Sequence, residues 1–131
     1  MLPLQNLRFL IVDDHEDSRM LLTYILEAEG AQVTASGCAS EALKALEQEC
    51  PDILISDIVM PEMNGYSLIR KVRNCEAMAV NSILAIALTA KAGIESHQQA
   101  LSAGFHCCLF KPLEPAQLVE EIIMLTQQFL T

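Results

Sequence analysis

A chain of 131 residues can bury one good core but not two, and an apolar content of 52% with a mean hydropathy of +0.32 excludes a disordered polymer. The formal charge of −9, without a basic stripe, excludes direct binding to the phosphate backbone of nucleic acids. No run approaches the roughly 20 apolar residues of a membrane span, and the N-terminal apolar segment, broken by Arg8 and stopped at Asp13, is not that of a signal peptide.

Strand-like and helix-like segments alternate along the chain. Arg8–Val12 predicts a first strand. Asp17–Glu29 follows with Leu21, Leu22, Ile25 and Leu26 at helical spacing, Asp17 or Ser18 as N-cap and Gly30 as the stop. Gln32–Ala35 predicts a short second strand and Ser40–Glu49 a helix closed before Pro51. Asp52–Ser56 is apolar enough for burial on both faces. A loop runs from Val59 to Gly65, where Pro61 stiffens the exit and Gly65 supplies a permissive backbone. A third helix is expected from Tyr66 to Arg73, and Asn74–Asn81 is a connection with no assigned shape. Ser82–Leu88 then predicts the fourth strand, Ile94–Ala103 a helix stopped by Gly104, Cys107–Phe110 the fifth strand, and Glu114–Leu130 the last helix. Five strand–helix repeats with short connections imply an α/β fold, a five-stranded parallel doubly wound sheet flanked by five helices, in a single domain over residues 1–131.

Parallel strands present their carboxyl ends at one edge, where open α/β sheets place their sites. Asp13 and Asp14 follow the first strand, Asp57 the third, Thr89 the fourth, and Lys111 the fifth. Three carboxylates in one cleft repel one another unless a cation intervenes, and oxygen donors with room for water favour Mg²⁺. A carboxylate so screened can act as a nucleophile toward phosphorus. The competing reading, acids that cap helices or face solvent, weakens when three strand ends carry the motif in the same order.

The segments Val12-Asp13-Asp14, Ser56-Asp57-Ile58-Val59-Met60-Pro61-Glu62-Met63-Asn64-Gly65, Ala87-Leu88-Thr89-Ala90 and Phe110-Lys111-Pro112 together resemble the receiver domain of bacterial two-component response regulators, the chemotaxis regulators among them. The resemblance covers about residues 7 to 130. It implies the flavodoxin-like strand order 2-1-3-4-5 and Asp57 as phosphoacceptor. It also implies Mg²⁺ held by Asp13, Asp14, Asp57 and the backbone carbonyl of Val59. Lys111 would pair with the phosphoryl group, Thr89 would move toward it, and the Lys111–Pro112 bond would be cis. A histidine kinase or phosphotransfer protein would be the donor, and a downstream protein the recipient of the signal.

One position departs from that pattern. Receivers usually carry an aromatic residue three places before the lysine, and here it is Cys108. Phe110, on the same side of the strand by alternation, is either a substitute for it or fixed packing. His15 reads as a solvated loop residue at the mouth of the site, and His97 and His106 as surface residues. The five cysteines, odd in number and without a C-x-x-C, read as reduced thiols in the cytoplasm. The last helix carries apolar residues on more than one face, which predicts a homodimer or partner surface.

Two contexts fit: a stand-alone regulator, as a start at Met1 near the first strand and an end after the last helix imply, or a receiver belonging to a hybrid kinase or larger regulator. Two other functions are kept beside the switch. One is a receiver-fold interaction module that works without phosphorylation. The other is a Mg²⁺-dependent phosphohydrolase, which would need a second carboxylate where this chain has Val59. A flavin protein of this topology would need a phosphate cradle after the first strand, where this chain has Asp13-Asp14-His15-Glu16-Asp17.

Overall fold

The computed structural model of the protein describes residues 2–90, 94–112 and 114–130, so the start at Met1 lies outside the described residues. Five parallel strands, β1 (Arg8–Val12), β2 (Gln32–Ser36), β3 (Ile53–Asp57), β4 (Leu84–Thr89) and β5 (Cys107–Phe110), form one sheet in the order β2-β1-β3-β4-β5. The helices are α1 (Glu16–Ala28), α2 (Ala39–Gln48), α3 (Gly65–Arg73), a short α4 (Met78–Asn81), α5 (Ile94–Ala103) and α6 (Pro115–Phe129).

Strand alternation builds a core on each face of the sheet. Leu10, Val12, Leu54, Ala85, Ala87 and Cys108 pack with residues of α2, α3 and α5, including Leu46, Leu68, Ile69 and Ala100. Their neighbours Phe9, Ile11, Ile53, Ile55, Ile86, Leu88 and Leu109 pack with Leu22, Ile25 and Leu26 of α1 and Leu118 and Ile122 of α6. β3 and β4 are buried along their whole length, as central strands covered on both sides must be.

Several element ends differ from the sequence expectation, each for a local reason. α1 begins at Glu16, one residue before Asp17, with His15 at the N-cap and no side-chain cap bond from Asp17 or Ser18. α3 begins at Gly65 because Asn64 caps it, its side chain accepting from the Ser67 amide at 2.9 Å. Glu114 lies just outside α6 as its cap, accepting from the Ala116 and Gln117 amides at 3.3 and 2.8 Å ahead of Pro115. The Asn74–Asn81 connection contains α4, which makes six helices among the described residues. β4 starts at Leu84, later than Ser82, because the Arg73 guanidinium takes the Asn81 and Ile83 carbonyls at 3.0 and 2.6 Å.

Arg73 also donates to the Gly104 carbonyl at 2.9 Å, so one side chain from α3 ties the entry to β4 to the exit of α5. Gly104, at φ +130°, holds a backbone conformation that L-residues avoid. His106, expected at the surface, is part of this network. Its Nδ1 accepts from the Ala85 amide at 3.1 Å, lies 3.4 Å from the Arg73 guanidinium, and its ring meets Phe129 at 4.7 Å. Nδ1 is therefore unprotonated, and burial first, then Arg73, push the imidazole below its ordinary range.

The constraint at Gly65 is one of space. A Cβ there would lie 2.3 Å from the carbonyl oxygen of Asp57, while the Gly65 amide donates to the Ile58 carbonyl at 2.8 Å. The glycine lets α3 start directly against the end of β3. Gly65→Ala is expected to destabilise the fold by about 1–3 kcal/mol, seen as a lower denaturation midpoint; an unchanged midpoint would show that the turn relaxes freely.

The lowered His106 pKa has a definite sign. Its contribution to stability is complete above the unfolded value of 6.5 and is lost as pH falls through the lower folded value. Between about pH 7 and pH 5 the urea midpoint of the wild type should fall more steeply than that of His106→Gln. Parallel profiles would remove His106 as the source.

Candidate functional site

The carboxyl edge of the sheet gathers the acids because the odd-numbered positions of β1 and β3 continue past the core. Asp13 follows Phe9 and Ile11, and Asp57 follows Ile53 and Ile55, all of which face α1 and α6. The ladder persists beyond the strand ends: the Asp13 amide donates to the Ser36 carbonyl at 3.1 Å and the Lys111 amide to the Thr89 carbonyl at 2.8 Å. Lys111 thereby continues the parity of Leu109. Its bond to Pro112 is cis, as expected.

Lys111 Nζ donates to Asp13 Oδ2 at 3.1 Å and to Asp57 Oδ2 at 3.3 Å. Asp13 is fully buried, its Oδ1 accepting from the His15 amide at 2.9 Å and its carbonyl from Arg19 at 2.7 Å. Asp57 is 5% exposed, and its Oδ1 accepts from the Ile58 amide at 2.8 Å, which leaves Oδ2 facing Lys111. Asp14 Oδ1 is buried without a hydrogen-bond partner. One ligand atom from each of Asp13, Asp14, His15 and Asp57 lies within 4.8 Å of every other.

The electrostatic balance shows what the site lacks. At an effective dielectric near 20 each Lys111 contact offers about 5 kcal/mol of gross attraction, against several kcal/mol to desolvate each ion. For Asp57 the cost wins: burial pushes its carboxyl up, Lys111 pulls it down less strongly, and Asp13 pushes it up again. For Lys111, burial works downward, but Asp13 and then Asp57 outweigh it and the ammonium is held above its ordinary range. Among the described residues Lys111 pairs with two of the three carboxylates, which leaves negative charge uncompensated. That deficit and the orphaned Asp14 oxygen fit a divalent cation held by oxygen donors.

Thr89 is buried at the end of β4, one residue beyond Leu88, which pairs in register with Asp57. Val59 lies two residues past Asp57 with its side chain exposed. Cys108 is 7% exposed and packs in the core on the α2, α3 and α5 face, so the usual aromatic position is filled by a small buried thiol. Phe110 pairs in register with Thr89 and is 37% exposed, outside both buried core clusters. Burial above all raises the Cys107 thiol to about 12, so it stays protonated. All five cysteines are unpaired.

The expected residues Asp13, Asp14, Asp57 and Lys111 converge, and the structure adds His15. Its Nδ1 lies 3.3 Å from Asp14 Oδ1, 3.6 Å from Asp13 Oδ1 and 4.0 Å from Asp57 Oδ2. A lone histidine beside two aspartates carries no ligand spacing in sequence; only its position one residue after the acid pair, at the start of α1, could have signalled the approach.

Comparison with known proteins agrees with this geometry. The chain is 46% identical over 129 residues to an uncharacterized 14.6 kDa protein of Leptolyngbya boryana, covering 98% of this chain and 94% of that one. It is 36% identical over 114 residues to the virulence sensor protein BvgS of Bordetella bronchiseptica, covering 85% of this chain but only 9% of the sensor. Among solved structures, the signal receiver domain of a signal transduction histidine kinase from Syntrophus aciditrophicus superimposes with a TM-score of 0.82 at 30% identity, covering 93% of this chain and 91% of that one. The family model for the response regulator receiver domain matches residues 9–123, most of the chain including its acidic sheet edge, and the chain belongs to the response regulator receiver domain family.

Proposed function

We propose that the protein is a phosphorylation-switched signalling domain of a two-component pathway, with Asp57 as the phosphoacceptor. The observation that carries this reading is the Asp57 carboxylate itself: nearly buried, anchored at Oδ1 by the Ile58 amide, and facing Lys111 through Oδ2. A bond forms between an Asp57 oxygen and phosphorus as the phosphorus–nitrogen bond to a donor histidine breaks, the electron pair returning to the imidazole. Lys111 neutralises charge on the arriving group, and Thr89 supplies a hydroxyl from the neighbouring strand end. Asp13, Asp14, Asp57 and the Val59 carbonyl would hold Mg²⁺, which when bound screens the carboxylates from the phosphoryl oxygens. The acylphosphate then biases a two-state surface toward a downstream protein.

The donor is a histidine kinase or phosphotransfer protein, by relation to sensor proteins that contain the matched segment. Such a domain is a switch and not a turnover enzyme, although it takes a chemical part in its own phosphorylation and dephosphorylation. Among the described residues no helix is long and apolar enough to cross a membrane. Five unpaired thiols support a reducing, cytoplasmic setting. The interaction-module reading lacks an account of why Asp13, Asp57 and Lys111 share one buried contact. The phosphohydrolase reading lacks its second carboxylate at Val59.

Treatment with Mg²⁺ and a small-molecule phosphodonor should add one phosphoryl group by intact mass, lost in Asp57→Asn and without Mg²⁺. Lys111→Met should reduce the adduct on the order of tenfold or more. An adduct that survives in Asp57→Asn would overturn the assignment.

Self-association through α6 is also proposed, on narrower ground than its composition implied. Leu118 and Ile122 are buried, and Val119, Ile123 and Leu125 pack against the same core, which leaves Met124, Phe129 and Leu130 exposed. Sedimentation mass should rise with concentration in the wild type and fall back in Met124→Glu; a monomer at every concentration refutes the dimer.

A further inference from the structure

The reading of the acid cluster as a cation site leaves His15 without a role, and the geometry points to one. We infer that His15 supplies a nitrogen ligand to the cation, which raises the site's affinity for first-row transition-metal ions relative to Mg²⁺. The inference rests on the proposed cation site and concerns which ion it selects.

The distances are those of a shared coordination sphere. Metal–ligand bonds of about 2.0–2.2 Å put neighbouring ligand atoms about 3 Å apart and opposite ones about 4.2 Å apart. Nδ1 of His15 lies 3.3 and 3.6 Å from oxygens of Asp14 and Asp13 and 4.0 Å from Asp57 Oδ2. The closest of these atoms is Asp14 Oδ1, the buried oxygen that has no hydrogen-bond partner. The 3.3 Å contact between the ring nitrogen and that oxygen is an ion-pair distance if the imidazole is protonated, and is equally the separation of two neighbouring ligands of one ion when the nitrogen is free.

The local backbone aims the imidazole. His15 sits in an extended conformation at the N-cap of α1 and contributes no side-chain cap, so its ring is not needed by the helix. Its amide is bound to Asp13 Oδ1 at 2.9 Å, which fixes the ring's origin beside the acids. The side chain is 69% exposed, so the cluster meets solvent on the His15 side.

The consequence is chemical. Mg²⁺ is a hard ion that binds oxygen and dehydrates reluctantly. Imidazole suits Mn²⁺ less than Ni²⁺ or Zn²⁺, following the general order of divalent affinities, and all of these more than Mg²⁺. An acid-only site gains little from a nitrogen-seeking ion; a site with His15 in reach gains a ligand. The competing role for His15, a protonated counter-ion for the acids, would oppose every divalent cation alike.

Calorimetric titration of untagged protein with Ni²⁺ and with Mg²⁺, for wild type, His15→Phe and Asp14→Asn, separates these cases. His15→Phe should lose on the order of tenfold in Ni²⁺ affinity and keep or improve its Mg²⁺ affinity. Mn²⁺-loaded wild type should show nitrogen modulation of its electron spin echo, absent in His15→Phe. An unchanged ratio of Ni²⁺ to Mg²⁺ affinity, or no nitrogen signal in the wild type, overturns the inference while leaving the cation site intact. Binding of both metals undiminished in Asp14→Asn overturns the cation site itself, and the inference with it.

Discussion

Lys111 places a single positive charge 3.1 Å from one buried carboxylate and 3.3 Å from another, with a third aspartate beside them. Most of what is particular to this protein follows from the shortfall in that balance. Burial strengthens the attraction of Lys111 for Asp13 and Asp57, but it also makes each ionised carboxylate costly and strengthens their repulsion. The Asp57 carboxyl is accordingly held above its ordinary range and Lys111 is held charged. A site left short of positive charge is one that a divalent cation can enter favourably.

The fold maintains this tension. The two hydrophobic layers pin β1 and β3 side by side, with Val12 paired to Ser56, so the acids that follow cannot separate. Gly65 permits α3 to begin against the carbonyl of Asp57, which fixes the exit of β3 at short range. Arg73 and His106 work at the opposite end of the sheet, closing the entry to β4 and the start of β5 with hydrogen bonds to backbone. Rigid strands thus support an unbalanced charge pattern, and the free energy stored at the site is electrostatic.

The usual aromatic position of β5 is filled differently in this chain. Cys108 is small and buried where receivers usually carry a ring, and Phe110 stands exposed on the edge strand beside Thr89. Thr89 and Phe110 stand directly across the register of the β4–β5 ladder. The surface nearest that ring, formed with Glu114, Gln117 and Glu121, is acidic and polar. A partner that reads it would need complementary basic groups.

Much of this is legible in the order of residues alone. Apolar runs ending in Asp13, Asp57, Thr89 and Lys111 identify parallel strands and a common edge, because a strand buried on both faces must be apolar until it emerges. The strand order comes with the family resemblance. Helix ends are less legible: Asn64 and Glu114 cap through side-chain bonds that compete with continuing the helix, and β4 begins where Arg73 releases it. His106 reads as a surface residue in sequence because its partners, Arg73, Ala85 and Phe129, are distant in the chain. The chemistry of the site is thus determined by sequence, since residue types at strand ends dictate which groups share an edge. The placement of His15 among the carboxylates is decided only by the tertiary structure, because ligand geometry depends on distances of 3.3 to 4.0 Å that no spacing along a chain encodes.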